Sequence, residues 1–349
     1  MKKLISLALI LVLTLCVALP SLAEPYGGIE GTIYWIGKMY EGDGWMAITD
    51  GAKLAAKEMN LDVNFTYPEG GELDLAGQIA LVENAINAGA AAIIVAPNDS
   101  NALVPVCEQA VAAGIPLFVY DTALADDTLQ VAFVSYSFYT QGVYAAQALK
   151  EKFGDEEVNV AVINATAGNQ AHMDREGGFL DTIATYDNFH LLGNVLYCDN
   201  DSVTAMNQAI DLASTYPEMN ALYAANSMAI EGAAPGIASL EGRDITVVSC
   251  DTSDAIVQSI KDGTILFTSS GAASAIGYLS IVVAAKSLAG EELGDVEWNN
   301  RTFTMDKETM TIDSGVYGID AEVVSDPSTE WIYRPMSWFD TYEGWNWFK

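Results

Sequence analysis

Hydrophobic and polar positions alternate by element rather than by residue. Residues 92–96 form a continuous apolar run, which is what a parallel strand covered on both faces looks like. Ser100 then offers an N-cap, and Leu103, Val106, Cys107, Ala110 and Val111 fall at i, i+3, i+4, i+7 and i+8 of one helical stripe. Gly114 ends that helix, Pro116 prevents its resumption, and Leu117–Tyr120 reads as the next strand. The unit is strand, helix, strand.

The same unit recurs along most of the chain. It predicts further strands at 32–36, 61–66, 131–134, 158–163, 192–197, 221–224, 245–250 and 265–268. Helices are predicted at 45–59, 73–87, 139–153, 203–214 and 272–288. Alternating strands and helices imply α/β architecture with doubly wound parallel sheets. About ten strands over roughly 325 residues sit more comfortably in two sheets than in one. From residue 326 onward the period is lost, and Trp331, Tyr333, Trp338, Phe339, Tyr342, Trp345, Trp347 and Phe348 crowd together. Aromatics at that density are expected to pack onto a lobe rather than face water.

The N-terminus reads as a targeting segment. Lys2 and Lys3 precede an apolar run over 4–19, and Ser21-Leu22-Ala23 supplies a small-x-small cleavage site, so residues 1–23 are expected to be a signal peptide. Cys16 stands where a lipoprotein cysteine would, but Leu15 before it is not small, and a lipid anchor is not expected. The rest of the chain holds no run long enough to span a membrane, so an exported, soluble protein is expected, in the periplasm or on the outer face of the membrane.

Charge narrows the partners. The formal net charge of −32 repels phosphate backbones, which argues against nucleic acid. Cys107, Cys198 and Cys250 form no paired spacing, so no metal site and no disulfide framework is indicated, although a Cys198–Cys250 bridge is open. Cys107 reads as core.

Polar residues recur where strands end. They are Lys38, Asp99, Asp121, Asn169 with Gln170, Asn226 and Asp251. Doubly wound sheets bind ligands beyond the carboxyl ends of their strands, so this set on both halves of the chain implies a shared cleft. Asp accepts, Lys donates, and Asn and Gln do both, which suits a polyhydroxylated ligand. Trp45, with Tyr40 and Trp35 behind it, is a candidate to stack on an apolar ring face. Each has a plainer alternative: Asp99 and Asp251 can cap helices, Asn226 can close a turn, and Trp45 can be core. Arg175 reads as a structural salt-bridge residue, and His172 and His190 as neither metal ligands nor bases.

Several phrases resemble the type I periplasmic solute-binding proteins of ABC importers, a ribose-binding-like superfamily. They are ITDGAKLAAKEM (48–59), GQIALVENAINAGAAAIIVAPNDSNALVP (77–105), AGIPLFVYDT (113–122), REGGF (175–179) and VVSCDTSDAIVQSIKDG (247–263). Asp121-Thr122 and Met173 depart from the ribose-type pattern. Lys38, Gly77-Gln78, Asp121, Asn169-Gln170 and the aromatic tail resemble the subgroup of rhamnose-binding and autoinducer 2-binding proteins, with Asn169 and Ala225 departing from the autoinducer receptors.

The resemblance implies two Rossmann-like lobes joined by a multi-strand hinge. Lobe 1 is expected to hold 24–123 with 271–297, and lobe 2 to hold 124–270 with 298–349. The implied function is extracytoplasmic binding of a pentose, hexose or deoxyhexose for an ABC importer, with autoinducer 2 as the alternative. The implied partners are the sugar and the permease, with a chemoreceptor or sensor kinase as another reader of the closed form. A monomer without cofactor is expected. A secreted glycoside-cleaving enzyme would need a flanking acid and base, for which Asp121 and Asp251 are the pair that closure could bring together, and no G-x-S-x-G or H-E-x-x-H signature supports it. No enzymatic activity is expected.

Overall fold

The computed structural model describes residues 24–298 and 301–326, so the expected signal peptide and aromatic tail lie outside the described residues. The elements alternate as the pattern requires: β1 (Ile33–Ile36), α1 (Asp43–Glu58), β2 (Val63–Thr66), α2 (Leu75–Asn87), β3 (Ala92–Val95), α3 (Val104–Ala112), β4 (Leu117–Tyr120) and β5 (Ala132–Ser135). Then come α4 (Phe138–Phe153), β6 (Val158–Asn164), α5 (Gln170–Ile183), β7 (Phe189–Leu191), β8 (Leu196–Tyr197), α6 (Ser202–Thr215), β9 (Ala221–Ala224), α7 (Ser227–Ala238), β10 (Thr246–Ser249) and α8 (Asp254–Lys261). The described chain closes with β11 (Thr268–Gly271), α9 (Ala273–Leu288), β12 (Val296–Trp298), β13 (Arg301–Phe303), β14 (Met305–Asp306), β15 (Thr311–Asp313) and β16 (Val316–Ile319).

Two sheets result. The first has the order β14-β15-β5-β4-β3-β1-β2, and the second has β10-β9-β6-β7 with β8 also on β6. The pairings from β15 through β5, β4, β3 and β1 to β2 are parallel. β3 and β4 are buried at every position, which is why they read as unbroken apolar runs.

Three expectations need correction. Residues 124–135 and much of 298–313 were expected in the second lobe, yet β5, β14 and β15 complete the first sheet, where Ala132, Val134, Phe303, Met305 and Ile312 join its core. A strand preceding a crossover pairs with its own sheet before the chain leaves it, so the boundary falls after Ser135 rather than after Ala123. The strand expected at 265–268 lies at Thr268–Gly271, a polar TSSG segment with no apolar run to mark it. Ser100 caps nothing: α3 starts at Val104, and Asp99 Oδ1 instead accepts from the N–H groups of Asn101 and Ala102.

The chain crosses between sheets at Tyr136-Ser137, after β11 at Gly271-Ala272, and at Ser314-Gly315, between elements assigned to the two cores. Inside each lobe, glycines let helices touch at the backbone. A Cβ on Gly142 would lie 2.1 Å from the Arg175 carbonyl oxygen, and one on Gly178 would lie 2.0 Å from that of Tyr139, so α4 and α5 are locked together there. That contact fixes the turn of α5 from which the site is built.

Candidate functional site

A cavity of about 430 Å³ opens between the two lobes at the carboxyl ends of their strands, within the roughly 300–1,000 Å³ usual for small-molecule sites. Lys38, Trp45, Asp121, Asn226 and Asp251 all line it. The remaining sequence candidates lie elsewhere. Asn169 stands behind the wall as the N-cap of α5, its Nδ2 donating to Glu72 Oε1 at 3.1 Å. Gln170 faces a smaller neighbouring cavity and donates to Asp174 Oδ1. Asp99 is occupied with its own turn. Trp35 is fully buried and stacked on Tyr120 at 4.6 Å, which removes it as a ligand platform, whereas Trp45 is partly exposed on the cavity wall.

The two aspartates occupy matching positions. Asp121 follows β4 with φ of 63° and Asp251 follows the end of β10 with φ of 72°, both in the left-handed region that costs a non-glycine residue. The neighbouring strand holds each backbone in that conformation. Asp121 N–H donates to Val134 O and Ser135 Oγ donates to Asp121 O at 2.6 Å. Asp251 N–H donates to Ser269 O and Thr268 Oγ1 donates to Asp251 O at 2.7 Å. Each aspartate also meets one cation, Lys38 Nζ lying 3.2 Å from Asp121 Oδ2 and Arg175 Nη1 donating to Asp251 Oδ2 at 3.0 Å.

These cations are buried, with Lys38 1% and Arg175 4% exposed. Burial without partners would be prohibitive, and both are paired. Lys38 also donates to Thr122 Oγ1 at 2.6 Å and Glu72 Oε1 at 3.3 Å, and sits 5.4 Å from the centre of the Trp45 ring. Arg175 donates from Nε to Gln141 Oε1 at 2.8 Å and from Nη1 to Ala225 O at 3.3 Å, and packs over Phe138. The sequence reading of Arg175 as a salt-bridge residue holds, but the pair it forms is part of the cavity wall.

The amides are oriented by capping. Asn226 caps α7, accepting from Ala229 N–H with its Oδ1, so its Nδ2 is left to donate to Asn200 Oδ1 at 2.7 Å. Asn200 in turn donates to Glu72 Oε2 at 2.6 Å.

Among the polar residues of the wall, Glu72 and Asn200 carry no signal in the sequence reading, and His172, read as neither metal ligand nor base, also lines the cavity. Glu72 sits in a one-turn helix, Gly71–Leu73, outside any predicted element. Burial favours its neutral form, but Lys38 and the hydrogen bonds from Lys38 and Asn200 outweigh that and hold the carboxyl below its usual range. His172 lies one turn into α5, and burial, assisted by Arg175 and Lys38, lowers it to about 4. The backbone N–H of Thr166 points at His172 Nδ1. A backbone amide only donates, so Nδ1 is the acceptor and the neutral ring carries its proton on Nε2, which faces Glu72.

This sets a pH dependence. The unfolded chain protonates His172 near pH 6.5 and the folded chain only near 4, so stability is full above 6.5 and declines as pH falls through that window. Between pH 6.5 and 5 the loss is about 1.6 kcal/mol, because the slope reaches its full value of about 1.36 kcal/mol per unit only below the unfolded value. Urea denaturation at both pH values should show this loss in the wild-type protein and a smaller one in His172→Gln. Equal slopes for the two proteins would remove His172 as the cause.

Cys198 and Cys250 are both buried and free, so no bridge joins them, and Cys107 packs in the core of the first lobe. His190 pairs with Glu157 on the surface, away from the cavity.

A family model described as Periplasmic binding protein domain matches residues 33–292. The chain belongs to the periplasmic binding protein family. Within it, the chain is 31% identical over 261 residues to a D-ribose/D-allose-binding protein of Pseudomonas aeruginosa, covering 71% of this chain and 79% of that protein. Among solved structures, a solute-binding protein of an ABC transporter from Agrobacterium vitis with bound D-fucose superposes with a TM-score of 0.77 at 26% identity, over 87% of this chain and 100% of that one. A carbohydrate transporter solute-binding protein from Agrobacterium radiobacter in complex with D-arabinose gives a TM-score of 0.77 at 26% identity, over 87% and 99% of the two chains. The first of these relatives is named for the sugars it binds, and the two solved structures are solute-binding proteins of transporters. No helix among the described residues is long and apolar enough to cross a membrane.

Proposed function

We propose that the protein binds an uncharged monosaccharide, a pentose, hexose or deoxyhexose, between its lobes and delivers it to an ABC permease. The observation that carries this reading is the composition of the cavity wall. Trp45 offers a ring face, Lys38 with Asp121 and Arg175 with Asp251 offer neutralised donor and acceptor pairs from opposite lobes, and Asn226 adds an oriented amide. Sugars have apolar ring faces and hydroxyls that both donate and accept, which such a wall matches.

The mechanism is closure. The chain passes between the lobes at three points, and a ligand that touches both lobes only when they are shut shifts the ensemble toward the shut form that the permease reads. A thermal-shift panel tests the reading, with D-ribose, D-allose, D-fucose, L-rhamnose, arabinose, xylose, galactose, glucose and autoinducer 2. A sugar at 100 times its Kd should add about 2.7 kcal/mol to stability. A response to autoinducer 2 alone would move the protein to signal uptake, and silence across the panel from folded protein would overturn the sugar assignment.

A further inference from the structure

One side chain in the cavity wall belongs to neither strand-end pair and ties the lobes together. Glu72 projects from the turn Gly71–Leu73 of the first lobe, held there by Asn98 Nδ2 donating to Gly71 O at 3.1 Å. Its side chain is 10% exposed. Its carboxylate accepts from Lys38 Nζ at 3.3 Å, Asn169 Nδ2 at 3.1 Å and Asn200 Nδ2 at 2.6 Å, and His172 Nε2 lies 3.9 Å away. The last three donors come from the second lobe. They are the groups with which a protein would build a receptor for an anion: one ammonium, two amides and an imidazole N–H.

We propose that Glu72 is the specificity-determining residue that restricts the cleft to uncharged solutes. Its carboxylate occupies the donor cluster that would otherwise receive the carboxylate or phosphate of a sugar acid or sugar phosphate. Both buried cations of the wall are already paired, Lys38 with Glu72 and Asp121, and Arg175 with Asp251. An incoming anion therefore meets carboxylates without a free positive partner, whereas a neutral hydroxyl can share Glu72 as an acceptor. Removal of Glu72 leaves Lys38 paired with Asp121 alone, beside the Asn200 amide, the Asn169 amide with only its 3.5 Å contact to Asn98 O, and an imidazole N–H facing no carboxylate. Such a site accepts an anion.

This inference rests on the sugar-binding reading for its biological meaning, but it can be tested without a sugar. Glu72→Ala should regain stability on addition of sodium acetate, which restores the missing carboxylate, while the wild-type protein and a sodium chloride control should not. Glu72→Gln, which keeps the shape, should bind D-galacturonate or D-glucuronate at least tenfold more tightly than the wild type and bind the parent hexoses less tightly. Acetate that shifts the wild type and Glu72→Ala equally overturns the proposal. So does a folded Glu72→Gln protein that binds a neutral sugar yet takes the uronates no better than the wild type does. If the wild type ignores every neutral sugar while Glu72→Ala is rescued by acetate, the sugar reading falls and the role of Glu72 stands.

Discussion

Arg175→Ala should cost about 3–5 kcal/mol of folding stability, the range for removing one partner of a buried ion pair. Arg175 is buried in the turn of α5 that faces the cavity, and its guanidinium is satisfied by Asp251, Gln141 and the Ala225 carbonyl. Its removal leaves the Asp251 carboxylate with the weaker 3.3 Å contact from Ser227 N–H, and leaves the Gln141 side-chain oxygen without this donor. It also opens a gap against Phe138. Since the Asp251 side chain retains 24% exposure, water can relieve part of the stranded charge, which places the expectation toward the lower end. Arg175→Ala with Asp251→Asn should recover part of the loss, because the second change removes the orphaned charge. Arg175→Lys should fall between, as an ammonium cannot form the paired contact to both carboxylate oxygens. Denaturant unfolding of the three variants settles the matter. A loss under about 1 kcal/mol for Arg175→Ala would show that the pair is not holding the second lobe together.

The strand-end rule explains four of the five sequence candidates that meet in the cavity; the fifth, Trp45, comes from α1. Lys38, Asp121, Asn226 and Asp251 follow β1, β4, β9 and β10, whose apolar runs are plain in the sequence, and parallel strands necessarily place their carboxyl ends on one edge. The rule names the edge but not the direction of a side chain. Asp99 also follows a buried strand, yet the turn at 99–103 uses its carboxylate to hold Asn101 and Ala102. Asn169 and Gln170 are adjacent, so helix geometry turns one toward Glu72 and the other toward Asp174.

What was hidden in the sequence has equally local causes. Glu72 lies in PEGGELD, where polar residues and glycines signal only a loop. Its importance comes from contacts with residues 97 and 128 positions away, a separation no local pattern encodes. His172 has no charged partner nearby in sequence, and its tautomer depends on the backbone of Thr166 curling back over the start of α5. The lobe boundary was misplaced because β14 and β15 are two and three residues long and reach the first sheet only after the chain has visited the second. Long apolar strands and striped helices are visible in sequence; short strands and returning crossovers are not.

Asp121→Ala should weaken sugar binding by about 2–5 kcal/mol, the cost of truncating one partner of a buried hydrogen-bonded charge pair. In affinity this is a loss of roughly 30-fold to a few thousand-fold, at 1.4 kcal/mol per decade. Three features concentrate the effect at this residue. Asp121 is 5% exposed on the cavity wall, so a ligand hydroxyl that bonds to it does so away from bulk water. Its Oδ2 also orients Lys38 and accepts from Thr122 Oγ1 at 2.8 Å, so its loss disturbs a donor as well as an acceptor. Its backbone is held at φ of 63°, where alanine is strained and asparagine is tolerated. Asp121→Asn therefore separates charge from conformation: it should keep the wild-type melting temperature more closely than Asp121→Ala while still losing about 1.5–3 kcal/mol of binding, the worth of a hydrogen bond to a charged group. Calorimetric titration of both variants with whichever sugar the thermal panel identifies measures the two contributions. Unchanged affinity in Asp121→Ala would mean that the ligand does not use the first lobe's strand-end carboxylate, and the cavity's polarity would then have to be explained by Glu72 and the second lobe alone.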